Sequence, residues 1–173
     1  ICYSRPMQTP LPLGDDALDA VMALIGRATE RLDAIGIPQW DEIYPNRAVL
    51  AADIAARTLY GLSVDGTLAG IVVLNEYQDA EYGDVRWELD DPRPLVIHRL
   101  CVAPEFQGKG LAKALMAFAE DCARGRGYRS IRLDAFTLNP LSLGLYRSLG
   151  FSERGVVLFR KGRFICLEKI LDR

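Results

Sequence analysis

The segment between Leu95 and Leu115 holds the residues whose types and spacing are most readily linked to a chemical task. An apolar stretch ends near Pro104, and the string Gln107-Gly-Lys-Gly-Leu-Ala112 then leads into a helical pattern. The first N–H groups of a helix have no partner within that helix, and glycines let a ligand approach them without meeting a Cβ. The helix dipole adds partial positive charge at the same end. The pattern therefore predicts a site for a phosphate or pyrophosphate group.

Two common glycine signatures do not fit this turn. The string GxxxxGK[ST] is absent, and Gly108-Lys-Gly110 is followed by Lys113 where a GxGxxG motif needs its third glycine. The remaining interpretation is an R/Q-x-x-G-x-G/A turn, which is met by Gln107, Gly110 and Ala112. Taken alone, the string fits a glycine loop that merely starts a helix equally well.

The surrounding sequence narrows this choice. Three strings occur in order: His98-Arg-Leu-Cys-Val-Ala-Pro104, then the glycine turn, and then Asn139 followed by Leu145-Tyr-Arg-Ser-Leu-Gly-Phe151. In this order and context they resemble the GNAT superfamily of N-acetyltransferases, and the resemblance covers essentially the whole chain. It implies a single N-acetyltransferase domain over residues 1–173 that uses acetyl-CoA as its co-substrate.

The resemblance also implies which residues contact acetyl-CoA. Backbone groups of Leu100, Cys101 and Val102 would align the pantetheine arm. The pyrophosphate would be held by the residues of the turn, which are Gln107, Gly108, Lys109, Gly110, Leu111 and Ala112. Asn139 matches the family's asparagine that contacts the cofactor arm, and it also suits the N-cap of the next helix. Ser142 lies four residues before Tyr146, so the two share a helix face that would line the cleft.

The resemblance further suggests an acid and a base. Tyr146 matches the family's tyrosine near the thioester sulfur, where a phenol can protonate the leaving thiolate. A base is needed because an alkyl amine is mostly protonated at neutral pH. His98 is the first candidate, since related arylalkylamine acetyltransferases carry a histidine at the matching place, and a hydrogen-bonded structural histidine is the alternative. Glu76 is a weaker candidate acting through water, with an ordinary loop carboxylate as its alternative.

Strand alternation adds a prediction about Cys101. His98 should share a face with Leu100 and Val102, so Cys101 should point to the opposite face. A Cys–His nucleophile pair would then not form. We therefore expect direct attack by the acceptor in a ternary complex.

Acidic and aromatic residues mix in the segments that are candidates for the acceptor site. Trp40, Tyr44, Tyr77 and Trp87 are the predicted aromatic contacts. The carboxylates between Glu76 and Asp84 would attract a cationic amine. A solvated loop with a few core anchors explains the same composition.

Composition excludes several classes of protein. With 21 basic and 23 acidic residues the net charge is −2, which leaves no basic field for nucleic acid. No apolar run reaches the roughly 18 residues that a membrane span needs, and no signal-peptide pattern is visible. The single histidine and four scattered cysteines do not match a metal site. We therefore expect a cytoplasmic protein without a metal.

The elements that position these residues follow from hydrophobic periodicity. Helical patterns cover residues 15–35, 46–57, 108–124 and 140–149, the last with a predicted buried stripe of Leu141, Leu145 and Leu149. Strand patterns cover residues 58–64, 67–77, 95–102, 130–138, 151–160 and 163–171, with shorter ones at 1–4 and 85–87. The strand–helix–strand order from Leu95 to Leu138 predicts a βαβ unit. With the resemblance, the fold class is α/β (α+β), with a GNAT-like mixed, mostly antiparallel sheet of about six or seven strands flanked by helices.

We therefore expect transfer of an acetyl group from acetyl-CoA to a primary amine of a small molecule or peptide. One alternative is a non-catalytic acyl-CoA-binding sensor or interaction module, which would lack a working Tyr146 and base. Another is acetyl transfer to a hydroxyl or a protein N-terminus. Proteins of this family often pair, so a homodimer is compatible with the sequence, although no interface can be identified from it.

Overall fold

The computed structural model describes residues 9–172, which form a seven-stranded mixed sheet in the order β1-β2-β3-β4-β5-β7-β6. The strands are β1 (Leu11–Pro12), β2 (Leu59–Val64), β3 (Thr67–Asn75), β4 (Leu95–Val102), β5 (Ser130–Phe136), β6 (Ser152–Phe159) and β7 (Gly162–Ile170). The helices are α1 (Leu18–Ala34), α2 (Arg47–Ala55), α3 (Leu111–Gly125) and α4 (Pro140–Ser148). Within these residues only β4 and β5 pair in parallel, as the predicted βαβ unit requires. The predicted fold class is confirmed, and the strand predicted at residues 1–4 lies outside the described residues.

The helices cover both faces of the sheet. Helix α1 buries Val21, Leu24, Ile25 and Ala28, which recur at helical spacing on one stripe. These residues pack with Ile71 and Val73 of β3, whereas α3 packs with the alternate β3 residues Val72 and Leu74. Because successive strand residues point to opposite faces, α1 and α3 lie on opposite sides of the sheet.

A β-bulge interrupts β4. His98 is paired with Val73 and Cys101 with Ile71. Between these two pairs, β4 has two residues where β3 has only one. The extra residue is accommodated at Arg99, whose φ is +51°. Residues that face each other across an antiparallel pair share a face, so His98 and Cys101 lie on the same face. The predicted alternation, with His98 beside Leu100 and Val102, is therefore wrong.

The parallel pair β4–β5 is short. Only Leu95 with Ile131 and Val96 with Arg132 are in register. Beyond Val96 the two strands part, and the edge of β4 that would face β5 has no strand partner among the described residues. The parting opens the interior of the sheet toward the carboxyl ends of both strands.

Two local predictions need correction. Residues 85–87 form no strand, because the connection between β3 and β4 instead contains a short 3₁₀ helix, Ala80–Asp84. In α4 the buried residues are Leu143 and Tyr146, while Leu141 is 67% exposed. The Asn139 cap and Pro140 fix where the helix starts and hence which side faces the sheet.

Candidate functional site

A cleft of about 430 Å³ opens where β4 and β5 part. Strand β4 contributes residues 97–100, and β5 contributes Asp134 and Ala135. Helix α4 adds Ser142 and Tyr146. The remaining wall comes from connecting segments and the β6–β7 hairpin, and contains Gln39, Trp40, Ile43, Tyr44, Asp79, Phe159, Arg160, Lys161 and Phe164. The cleft therefore brings together residues that are far apart in the sequence.

The turn between β4 and α3 presents a run of backbone N–H groups. Gly108 and Gly110 adopt left-handed conformations, with φ of +76° and +81°. The first hydrogen bond at this end of α3 runs from the Ala114 N–H to the Gly110 carbonyl. Among residues 9–172 no backbone acceptor is found for the N–H groups of residues 108–113. A helix N-terminus with this many unpaired donors suits an anion.

Side chains of the turn leave these donors accessible. The Gln107 side chain turns back and its Nε2 donates to the Val102 carbonyl at 3.3 Å. The Lys109 ammonium lies 5.0 Å above the Phe106 ring, and Leu111 is buried in the core beneath the turn. The main chain is thus the exposed binding element at this position.

Tyr146 reaches from α4 into the cleft. Its ring packs against Phe151, with centroids 6.1 Å apart, and the residue is only 7% exposed. Only burial and the charge of Asp134 act on its hydroxyl, which forms no hydrogen bond with residues 9–172. Burial, assisted by the charge of Asp134, raises the pKa of Tyr146 well above its ordinary value. The phenol therefore stays protonated at neutral pH, as a proton donor must.

His98 also lines the cleft, but two hydrogen bonds constrain it. Its Nε2 lies 3.0 Å from Asn75 Oδ1 and 3.2 Å from the Tyr77 carbonyl oxygen. Because both neighbours are acceptors, Nε2 carries the hydrogen and Nδ1 carries the lone pair. Burial, with the charge of Arg99, lowers the pKa of His98 to about 4. The imidazole is consequently neutral and a weak base.

Cys101 is not part of the cleft wall. The predicted reason for excluding it as a nucleophile is wrong, since it shares a face with His98. The structure supplies another reason: burial raises the pKa of the Cys101 thiol to about 12. Hardly any nucleophilic thiolate exists at neutral pH under that condition.

Glu76 follows β3 and also lies outside the cleft wall. Its Oε1 accepts hydrogen bonds from Arg93 Nη2 and from the Tyr128 hydroxyl, both at 2.8 Å. The bond from Arg93 is the main cause that lowers the pKa of Glu76. The structure therefore does not bring Glu76 together with Tyr146.

Only two of the four predicted acceptor aromatics line the cleft, namely Trp40 and Tyr44. Tyr77 is 63% exposed and touches the site through its carbonyl oxygen, which accepts from His98. Trp87 packs elsewhere, with the Arg132 guanidinium 4.3 Å from its ring centroid. Trp87 thus anchors the long β3–β4 connection to the sheet.

Asn139 stands just behind the cleft wall. Its Oδ1 accepts from the Ser142 N–H at 3.1 Å and so caps α4. Its Nδ2 donates to Gln39 Oε1 at 2.9 Å. Because Ser142 and Gln39 both line the cleft, this one amide fixes two of its walls.

Arg99 holds the loop between α1 and α2 against β4. Its guanidinium makes a two-pronged contact with Asp53, with distances of 2.8 Å from Nε and 2.7 Å from Nη2. Its Nη1 donates to the Tyr44 hydroxyl at 2.6 Å. No sequence pattern singles out Arg99, because its role depends on the bulge.

Two further cations in the cleft wall are also paired. Arg160 and Lys161, in the β6–β7 hairpin, contact Asp41 at 2.6 and 3.2 Å. The contact with Arg160 is the largest cause that holds the pKa of Asp41 well below its usual range. The loop that carries Trp40 and Tyr44 is thereby joined to the hairpin across the cleft.

Asp134 is a cleft carboxylate that belongs to no sequence motif. It lies in a largely apolar strand, where Ile131, Leu133 and Ala135 belong to the core on the α3 side. A charged residue between apolar residues of a buried strand is unusual, and this is the sequence feature that could have indicated Asp134. The pKa of Asp134 is raised to about 6, chiefly by burial and also by the nearby Asp79 carboxylate.

Residues 9–172 contain no group of three or more His, Cys, Asp or Glu side chains that could hold a metal ion. No helix among the same residues is both long enough and apolar enough to cross a membrane.

Comparison with known proteins places this geometry in a family. Residues 27–151 match the model of the acetyltransferase (GNAT) family. Streptothricin acetyltransferase of Streptomyces lavendulae is 31% identical over 104 residues, which are 60% of this chain and 49% of that protein. Human N-acetyltransferase 8B is 37% identical over 75 residues, or 41% of this chain and 33% of that protein. The chain thus spans between about a third and a half of the length of these curated relatives.

Solved structures share this fold. A GNAT-family acetyltransferase from Streptococcus agalactiae superposes with a TM-score of 0.85 at 25% identity, covering 100% of both chains. The PaiA N-acetyltransferase of Thermoplasma acidophilum, solved in complex with coenzyme A, has the same fold, with a TM-score of 0.72 at 20% identity over 96% of this chain and 100% of its own. Acetyl-CoA is the typical co-substrate of this family. Together with the parted strands and the open turn, these matches show that the chain belongs to the GNAT family of acetyltransferases.

Proposed function

We propose that this protein transfers the acetyl group of acetyl-CoA to a primary amine, and that the chain acts as one N-acetyltransferase domain. The observation that carries the proposal is the parting of β4 from β5 after Val96. It leaves the edge of β4 over Leu100 to Val102 without a strand partner, so that a pantetheine arm could bond there, at Val102 by displacing the Gln107 side chain. The same edge leads directly into the N–H groups of residues 108–113, where the diphosphate would bind.

Tyr146 is the proposed acid. The departing CoA thiolate would otherwise carry a full negative charge into a cleft whose wall already holds Asp79 and Asp134, which is unfavourable. A buried phenol with an unpaired hydroxyl and a raised pKa remains a proton donor at this point. Ser142, four residues earlier, lies on the same wall and is proposed to contact the cofactor arm with Asn139.

The charges of the cleft favour an amine as acceptor. Its three cationic side chains are paired with two carboxylates, Arg99 with Asp53 and both Arg160 and Lys161 with Asp41. Two carboxylates in the wall, Asp79 and Asp134, have no such cationic partner among residues 9–172. A cationic amine entering between Trp40 and Tyr44 would therefore meet net negative charge.

Release of free CoA, measured over a panel of amines, alcohols and peptide N-termini, tests the proposal. Tyr146→Phe should lower kcat by about 100-fold or more, the usual contribution of a positioned proton donor, while leaving acetyl-CoA affinity intact. Tyr60→Phe is the matched control, because Tyr60 is equally buried, lies outside the cleft, and bonds Arg126. Acetyl-CoA binding without turnover of any acceptor would identify a sensor instead, and turnover of alcohols or peptide N-termini alone would replace the amine.

A further inference from the structure

We propose that Asp134 on β5 takes the proton from the acceptor nitrogen during acetyl transfer. The inference rests on the acetyltransferase function proposed above, and it names a catalytic residue for that function. It starts from the position of Asp134 in the cleft, where the parted edge of β4 and the Tyr146 hydroxyl are its neighbours.

Only one of the two oxygens of the Asp134 carboxylate accepts a hydrogen bond. The Tyr82 hydroxyl, from the 3₁₀ helix Ala80–Asp84, donates to Asp134 Oδ2 at 2.7 Å. Asp134 Oδ1 has no hydrogen-bond partner among residues 9–172. One oxygen therefore holds the side chain in place, and the other is available to a ligand in the cleft.

No cation neutralises this carboxylate. Arg132 lies two residues earlier on the same strand face, but its guanidinium contacts Glu168, Gln78 and the Leu89 carbonyl. Arg99, across the cleft, is held by Asp53. The titratable groups that face Asp134 from the surrounding elements are Tyr44, Asp79, Tyr82, His98, Arg99, Tyr146 and Cys166.

Asp134 suits proton transfer better than His98. Burial, and after it the Asp79 charge, raises the pKa of Asp134 to about 6, so it is ionised at neutral pH and close to the operating range. The pKa of His98 is lowered to about 4, and its Nε2 hydrogen is bound to Asn75 and Tyr77. Asp134 is thus the stronger base of the two in the cleft.

Two proton transfers from the nitrogen accompany acetyl transfer. The bound ammonium gives one proton to the Asp134 carboxylate, which returns it to solvent. The neutral nitrogen attacks the acetyl carbonyl carbon, forming the C–N bond while the carbonyl electrons move to oxygen. As the carbonyl re-forms, the C–S bond breaks, and Tyr146 protonates the CoA sulfur. The second proton lost by the nitrogen restores Tyr146, so the products are the amide, CoA and one proton.

Asp134→Asn is the first test. It should lower kcat/KM for the amine by about 100-fold or more at pH 7.5. The fall of kcat/KM below about pH 6, which is the acid limb of the pH profile, should disappear. Asp90→Asn is the matched control, because Asp90 is exposed and lies outside the cleft wall. Acetyl-CoA binding by titration calorimetry and the circular dichroism spectrum should match the parent in both variants.

Two gentler variants test the same residue if Asp134→Asn fails to fold. The Tyr82 hydrogen bond lowers the pKa of Asp134 and the Asp79 charge raises it. The acid limb of kcat/KM should therefore move to higher pH in Tyr82→Phe and to lower pH in Asp79→Asn. Opposite shifts support Asp134 as the base, and an acid limb that stays in place in both variants overturns the assignment.

The outcomes separate this inference from the proposed function. A parent protein that neither binds nor turns over acetyl-CoA would refute the acetyltransferase proposal itself. An active parent whose acid limb near pH 4 disappears in His98→Gln, with Asp134→Asn fully active, would refute only the role of Asp134. An active parent with the losses and shifts described above supports both.

Discussion

Replacing Gly110 with alanine tests whether the turn binds the diphosphate through its main chain. Gly110 precedes α3 with φ of +81°, and a Cβ built there meets no protein atom within 4 Å. The change therefore costs only the left-handed conformation, about 1–2 kcal/mol of stability. In the complex, the same Cβ would stand among the N–H groups of residues 108–113, where the diphosphate is proposed to lie.

The expected loss of affinity follows from those donors. A hydrogen bond to a charged group contributes about 1.5–3 kcal/mol. Losing one such bond raises the Kd for CoA by about 10- to 150-fold. The substitution should thus weaken CoA binding far more than its modest effect on folding would suggest.

Gly127→Ala is the control, since Gly127 lies just beyond the other end of α3 with φ of +75° and also has open space around it. Both variants should lose similar stability in urea titrations. Only Gly110→Ala should lose CoA affinity in titration calorimetry. With S-acetylpantetheine, which lacks the diphosphate, Gly110→Ala should match the parent in kcat/KM. Unchanged CoA affinity in Gly110→Ala, or an equal loss in both variants, would refute main-chain recognition of the diphosphate.

Two further outcomes are expected. Asp53→Asn leaves the Arg99 guanidinium without its charge partner in a largely buried site, and should cost about 3–5 kcal/mol in urea unfolding. Asp19→Asn, which breaks an exposed pair with Arg47, should cost less than about 1 kcal/mol, and equal losses would contradict this account. Initial rates with both substrates varied should give intersecting lines, since the Cys101 thiol has a pKa raised to about 12. Parallel lines, with an acetylated Cys101 detected by mass spectrometry, would establish a ping-pong route.

Local signals predicted most of the fold. The bounds predicted for β4 match those observed, because an apolar run ending in proline leaves little freedom. The β2–β3 hairpin follows from Asp65-Gly66, and the start of α4 from the Asn139 cap and Pro140. In each case a few adjacent residues specify the backbone.

What the sequence could not show depends on contacts between distant segments. The bulge at Arg99 places His98 and Cys101 on one face, and no residue type in β4 marks it. Trp87 lies in an irregular segment that hydrogen bonds to Arg132 and Glu168 hold against the sheet. Hydrophobic periodicity within a short stretch of sequence cannot reveal such contacts.

The candidate site was predicted unevenly for the same reason. Tyr146 and His98 were recognised by their places in motifs, and both line the cleft. Glu76 is a candidate because it stands at the end of the predicted strand 67–77, but Arg93 and Tyr128 engage it outside the cleft. Asp134 carries no motif, and its importance becomes visible only once β4 and β5 part beside it.

Arg99 connects the backbone irregularity to the acceptor end of the cleft. A non-glycine residue with positive φ is strained by about 1–3 kcal/mol, so the surrounding contacts must hold it there. Here the two-pronged bond to Asp53 and the bond to the Tyr44 hydroxyl supply those contacts. Bulges bend a strand and increase its twist, and β4 leaves β5 just before this one. The residue at the bulge thus also holds Tyr44 in the cleft wall, so the acceptor side of the cleft depends on the buried Arg99–Asp53 pair.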